Sequence, residues 1–334
     1  MNSKHYNIPI FIPDYGCPFK CIFCNQKTIT TTQTVPTKED IYSKISQWLL
    51  TIKNNNSEVE VAFFGGNFTG LPITVQQEYL EVVQPFLKNE KIKSIRISTR
   101  PDAINVENLK FLKEYGVKTI ELGAQSMDED VLLQSKRGHT AKKTIESSKL
   151  IKEFGFSLGL QMMIGLPGDS YEKSIFTAKK IAELKADETR IYPVLVIKNT
   201  LLEKSYYYGK YTPLLLNEAI LWTIPIYLHF IENNIKVLKI GLHPSEGFIN
   251  GNELIAGPYH QSFRELMLSR MWQQKLSEIE IKTHKIHIFV NPKDINYAIG
   301  YKHENYNLLK NRFKFIKIIQ DSKLEKNDFY VNYL

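Results

Sequence analysis

NIPIFIPDYGCPFKCIFCN (residues 7–25) joins an apolar run to a loop that holds every cysteine of the 334-residue chain: Cys17, Cys21 and Cys24. The run is apolar, rich in isoleucine, and closes on Pro and Gly, so it reads as a strand feeding a loop. An odd, tightly clustered set of thiols argues against a disulfide framework. It points to thiolate ligation or redox chemistry in a reducing compartment. A structural zinc site takes four ligands, and so does a closed iron–sulfur cluster. This loop supplies three. His5 or a distant histidine is the candidate for a fourth zinc ligand, although no paired C-x2-C or H-x3-H lies nearby; with three thiolates alone, one iron of a cluster stays open.

Working outward, β-rich apolar runs recur at 7–12, 59–64, 94–99, 117–123, 156–165 and 189–196. Amphipathic helical patterns separate them, as at 38–50, 75–87 and 141–155. Apolar strands divided by single helices read as successive βαβ units with a parallel sheet, and right-handed crossovers curl six such units into a full or partial barrel. The fold class is therefore α/β, a partial (βα)6 TIM-like barrel. Polar loops follow the strands: GCPFKC, GGNFTG, RPD, AQS and LPGD. In parallel barrels such loops build the active site, so every motif is expected at one mouth.

The expected organisation is a core over 1–213, a mixed α/β extension over 214–280 that closes the barrel, and a small basic module over 281–334. In that last segment KIHIFV, INYAIG, YNLLKNRF and KFIKII read as strand, helix, helix, strand. Hydrophobic residues at 43 % and charged residues at 23 % exclude a disordered or low-complexity chain. The N-terminal apolar run is too short for a signal peptide, and AILWTIPIYLHFI is too short and interrupted to span a bilayer. A cytoplasmic protein with no membrane partner is expected. The net charge is +8, and residues 281–334 hold ten Lys and Arg against five Asp and Glu. That excess favours a polyanionic partner at the tail.

The spacing C-x3-C-x2-C after the first strand resembles the signature of radical S-adenosylmethionine (SAM) enzymes. GGNFTG, after the second strand, is similar to their Gly-Gly-Glu-like turn, in which Gly65, Gly66 and Asn67 would receive the methionine amino group of SAM. Glycines there let backbone atoms approach the ligand with no Cβ between. Asn67 stands where Glu is commoner, which removes a charge. TRPD (99–102), ELGAQS (121–126), KRGHT (136–140), QMMIGLPGD (161–169) and RIYPVLVIKNT (190–200) occur in the order of the radical SAM half of the catalytic subunit of Elongator, the wobble-uridine tRNA modifier. The likeness covers most of residues 7–213. A more distant one is to oxygen-independent coproporphyrinogen oxidase.

The resemblance implies a [4Fe-4S] cluster on Cys17, Cys21 and Cys24, with SAM on its open iron. It places Ser98, Gln125 and Gln161 against the ribose and amino acid parts of SAM. Arg137 falls where an arginine pairs with the SAM carboxylate, a match of fork to carboxylate. It further implies an electron from ferredoxin or flavodoxin, cleavage of SAM to methionine and a 5′-deoxyadenosyl radical, and tRNA or other RNA as acceptor. Elongator's acetyltransferase half has no counterpart in these residues, so acetyl-CoA-dependent carboxymethylation is not carried over. A small-molecule substrate, as in the coproporphyrinogen oxidase family, and a non-enzymatic metal- or RNA-binding protein are the competing readings.

Further candidates are His139, Arg190, Tyr192 and Lys198 near the mouth, and Tyr259, His260 and Arg264 before a late helix. The tail resembles the core of a KH domain, whose G-x-x-G loop would be Gly300 to His303 with the second glycine missing. Lys285, Lys302, Lys310, Arg312, Lys314 and Lys317 are the expected phosphate-facing cations.

Overall fold

The structure is a computed structural model that describes residues 5–12, 16–26, 34–52, 57–242 and 246–334. The strands are β1 (His5–Ile12), β2 (Glu58–Gly65), β3 (Ser94–Thr99), β4 (Val117–Gln125), β5 (Ser157–Ile164), β6 (Glu188–Pro193), β7 (Val196–Ile197) and β8 (Lys236–Ile240). β1 to β6 pair in parallel in sequence order, each crossover between them carrying helix. The rhythm of six βα units is thus realised. VLKIG extends it: β8 pairs in parallel with β6, giving a curled sheet of seven strands.

The period of two along each strand decides which side chains face the helices and which face the hollow. In β1, Ile8, Ile10 and Ile12 are buried in the main apolar cluster, whereas Asn7, Pro9 and Phe11 line the hollow. The same alternation puts Glu60, Arg96, Glu121, Glu188 and Arg190 inside the sheet's curve. Short polar residues start the crossover helices except Ile73–Lys88, which follows Pro72. Thr37 forms a capping box with Asp40 ahead of Lys38–Thr51, and Asn105, Asp128, Thr140 and Ser170 each accept from a first-turn amide of the next helix. Each such cap contributes about 1 kcal/mol and sets where the loop ends.

Helix Leu216–Glu232 packs between Tyr171–Glu183 and Phe263–Ser277. No helix among the described residues is long and apolar enough to cross a membrane. β9 (Leu254–Ala256) pairs antiparallel with β7.

The tail forms a separate three-stranded sheet from β10 (Lys285–Val290), β11 (Phe315–Gln320) and β12 (Phe329–Tyr333). Two short helices, Ile295–Ile299 and Glu304–Lys310, connect β10 to β11, as the sequence pattern predicts. β12 is an addition to that pattern and lies antiparallel on the other edge of β10. One continuous apolar cluster runs from Ile8 in β1 to Ile316 in β11, by way of Trp272 on Phe263–Ser277. The Gly300 loop is tied to that helix, since Tyr301 N donates to Ser269 Oγ at 3.0 Å and Asn305 Nδ2 to Ser269 O at 2.9 Å.

Candidate cofactor site at the barrel mouth

Loops after the carboxyl ends of β1, β2, β3 and β4 enclose one cavity of about 1230 Å³. Cys17, Cys21 and Cys24 all line it, with Gly65, Gly66, Ser98, Gln125, Arg137 and Gln161. Nine of the ten residues that the resemblance assigns to the cluster and SAM therefore line one cavity. The volume exceeds the roughly 300–1,000 Å³ that holds a drug-sized ligand, which leaves room for a second molecule beside a nucleoside cofactor.

The cysteine loop is anchored at both sides. Cys21, Ile22 and Phe23 are buried with Met163, Leu166, Val194 and Leu202, while Ile22 N donates to Ser135 O at 3.3 Å and Leu202 N to Ile22 O at 2.8 Å. Cys24 N closes a turn onto Cys21 O at 3.1 Å. Phe19 lies over Gly138, where an added Cβ would sit 2.4 Å from the ring, and Arg100 stacks on that ring at 5.2 Å. Arg100 also pairs with Asp102 through Nε at 2.9 Å and donates to Arg137 O.

Asn67 differs from its neighbours: it is buried and does not line the cavity. Its Nδ2 donates to Gly16 O at 2.7 Å, and its Oδ1 accepts from Arg100 N at 3.0 Å and Thr99 Oγ1 at 2.5 Å. The side chain thus ties the cysteine loop to the end of β3. Gly16 makes this possible, because its φ is +77° and a Cβ there would lie 2.4 Å from Asn67 O. Gly65 also has positive φ, +87°, so its backbone borders the cavity in a conformation that favours glycine.

Gln125 reaches the cavity through a bulge. The β4–β5 register shifts between Gly123 and Gln125, and Gln125 has a φ of +65°. A bulge turns one side chain out of the strand's alternation, and Gln125 Oε1 then accepts from Gln161 Nε2 at 3.4 Å. Arg137 donates through Nη1 to Cys21 Sγ at 3.1 Å and through Nη2 to Gly123 O at 2.5 Å. Its buried Nε has no partner among the described residues.

Below the cavity lies a buried charge network of which the motifs held only Glu121 and Arg190. Arg96 joins Glu60 at 3.1 Å, Glu121 at 2.7 Å and Glu188, and Arg190 joins Glu121 at 2.6 Å. His5 Nε2 lies 3.1 Å from Glu60, whose hydrogen bond raises the imidazole pKa although burial opposes it. Burial pushes the Glu60 carboxyl up, but hydrogen bonds from His5 and Ser94 and the Arg96 charge outweigh it and bring it down to about 2. Three carboxylates thus face two guanidiniums and a histidine. The signal was present in the sequence as charges inside apolar strands: Glu60 in VEVAFF, Arg96 in SIRIST, Glu188 and Arg190 in TRIYPVLV and its flank. Arg190 and Tyr192 line the cavity floor with Lys239 of β8, a residue the motifs also missed.

Other candidates lie apart. His139 is buried, with Nδ1 3.3 Å from Thr140 O, and burial together with the Arg137 charge lowers its pKa to about 4. Lys198 belongs to the β7–β9 edge, its amide donating to Glu253 O. Arg264 donates to Val237 O at 3.3 Å, and His260 Nδ1 accepts from Ser262 N at 3.0 Å. Arg312, expected on a phosphate-facing surface, caps Phe263–Ser277 by donating to Leu276 O and Ile279 O.

Among the described residues no three His, Cys, Asp or Glu side chains converge to hold a metal ion. The donor set still suits an iron–sulfur cluster. Three thiols border one cavity, the soft ligand type such clusters take, and a guanidinium lies beside one of them.

Two family models match the chain, the radical SAM superfamily over residues 11–181 and the radical SAM C-terminal domain over residues 186–273. An uncharacterised protein of Methanocaldococcus jannaschii is 31 % identical over 232 residues, 65 % of this chain and 70 % of that protein. A tRNA uridine(34) acetyltransferase of Dehalococcoides mccartyi is 27 % identical over 230 residues, 59 % of this chain and 50 % of that one. The chain thus spans about half the length of that relative. The solved structure of Elp3 from Methanocaldococcus infernus, lacking its N-terminal residues 1–46, superposes with a TM-score of 0.63 at 21 % identity, over 82 % of this chain and 64 % of that one. At that identity the likeness establishes the curled-barrel fold.

Proposed function

The chain belongs to the radical SAM superfamily, and from that premise we propose that it is an enzyme that cleaves SAM reductively at a [4Fe-4S] cluster in order to modify an RNA base. Cys17, Cys21 and Cys24 would hold the cluster. Bound together, cluster and SAM supply one-electron cleavage of the sulfonium to methionine and a 5′-deoxyadenosyl radical. The electron comes from a low-potential donor of the ferredoxin or flavodoxin class.

The protein's own part is to bind, orient and shield. Arg137 offers its guanidinium, whose Nε has no partner among the described residues, to the SAM carboxylate. The backbone of Gly65 and Gly66 borders the place for the amino group, and Gln125, Gln161 and Ser98 supply polar contacts on the facing strands. Asn67 acts by holding the cysteine loop in place. The single observation that carries the reading is the gathering of three thiols and these SAM-contacting types around one cavity.

RNA as acceptor rests on the relatives, which include tRNA uridine(34) acetyltransferases, and on the basic tail. Anaerobic reconstitution with iron and sulfide tests the cluster: visible absorbance and SAM cleavage are expected in the native protein and lost in Cys21→Ala. Undiminished cleavage in that variant would refute the site. Comparison of tRNA nucleosides from a deletion strain and its parent tests the acceptor. Identical nucleosides would move the reading to a small-molecule substrate.

A further inference from the structure

The geometry points to the outward face of the tail sheet as a stacking platform for unpaired bases of single-stranded RNA. This surface deepens the RNA reading above, and rests on it for the identity of its ligand.

The alternation along β10 sends Ile286, Ile288 and Val290 into the core. His287 and Phe289 consequently emerge on the other side, next to Phe315 of β11 and Tyr330 of β12. Phe289 and Tyr330 stack at 4.6 Å with 6° between their planes. His287 stands 6.4 Å from Phe289 and 6.0 Å from Phe315, which links the four rings across all three strands. Phe315 and Tyr330 are 48 % and 45 % exposed. Tyr330 Oη donates to Asp321 Oδ2 at 3.2 Å, which steadies that ring.

Half-buried His287 and Phe289 thus join two exposed rings in one aromatic strip, the kind of surface patch that marks an interaction site. Cations border this one. Lys317 lies in register with His287, and Lys285 with Phe315, and both are exposed. The residues that follow hold Lys323 and Lys326 against Asp321, Glu325 and Asp328, so the positive charge at the strip is that of Lys285 and Lys317. Rings that stack on bases and lysines that meet phosphates are the two components of sequence-tolerant single-strand binding. A duplex hides its base faces and would meet only the lysines. The surface lies apart from the Gly300 loop, whose backbone is held against Ser269.

The test is binding of a fluorescent, mixed-sequence single-stranded RNA and of its duplex to the full chain. Phe289→Ala combined with Tyr330→Ala is expected to weaken single-strand binding about tenfold or more. SAM cleavage should not change, since both rings lie outside the barrel, and the fall in thermal midpoint should be no more than the lost cross-strand pair accounts for. Lys317→Gln should lower the slope of log affinity against log salt by about 0.7. Equal binding by the aromatic double variant, or equal and ring-independent binding of duplex, would overturn the proposal. So would concentration-dependent dimerisation lost in the same variant with no RNA binding, which would assign the face to a second copy. RNA held through these rings by a protein that modifies no RNA nucleoside would leave this surface standing and remove the acceptor reading. Normal nucleoside modification with no contribution from the rings would do the reverse.

Discussion

Arg137 Nη1 lies 3.1 Å from Cys21 Sγ while its backbone carbonyl accepts from Arg100. One residue thereby connects the thiol loop to the arginine that holds Phe19 and Asp102. Removing its side chain takes away a charge-assisted donor, an interaction of about 1.5–3 kcal/mol. Arg137→Ala should therefore weaken SAM binding between about tenfold and a hundredfold. Arg137→Lys should recover part of the loss, because it keeps the charge without the fork. Equilibrium binding of SAM to the reconstituted protein measures both.

Asn67 is expected to act on order rather than on cofactor contact. Asn67→Ala takes the side-chain partner from Gly16 O and Arg100 N, while Thr99 Oγ1 keeps its bonds with Thr69. The cost should be about 2–3 kcal/mol, seen in denaturant unfolding. Asn67→Asp should also destabilise, since an oxygen would then face Gly16 O. A stable Asn67→Ala that had lost only SAM affinity would show the side chain to be a ligand contact.

The charge network under the cavity should be intolerant of single deletions. Arg96→Met takes the shared guanidinium from Glu60, Glu121 and Glu188, of which Glu60 keeps His5 and Glu121 keeps Arg190 while Glu188 loses its ion pair in the interior. Breaking a buried pair costs about 3–5 kcal/mol, so unfolding midpoints should fall sharply. Arg96→Lys keeps a charge but cannot reach three carboxylates, and should lie between.

Two histidines give the stability opposite pH dependences. His139 has its folded pKa lowered to about 4 from 6.5. Its contribution is present above pH 6.5 and is lost as pH falls toward 4, with a slope of at most about 1.4 kcal/mol per unit. His5 has its folded pKa raised from 6.5, so its contribution is complete below pH 6.5 and is lost as pH rises through the folded value. His139→Gln should flatten the acid side of a plot of unfolding free energy against pH, and His5→Gln the side above pH 6.5.

Much of the barrel was legible because apolar periodicity is a local property. The six runs from 7–12 to 189–196 became β1 to β6, and the loops after them became the mouth. VLKIG reads as a short strand, yet its five residues carry no record of which edge of the sheet they join. β12 was missed because FYVNY is half-exposed and short, and its pairing to β10 is a long-range event. Arg312 read as a surface cation because a guanidinium bonded to helix carbonyls has the same local pattern as a solvated one.

By itself the chain determined the order of strands and helices, the positions of the thiols, and the polar loops at strand ends, all matters of spacing over a few residues. Tertiary structure decided the rest: that Asn67 braces a loop, that Gln125 turns inward at a bulge, and that charges from β2, β3, β4 and β6 neutralise one another. Those outcomes depend on groups up to 92 residues apart meeting where water is scarce, and there the pairing of polar atoms, not local preference, controls the energy.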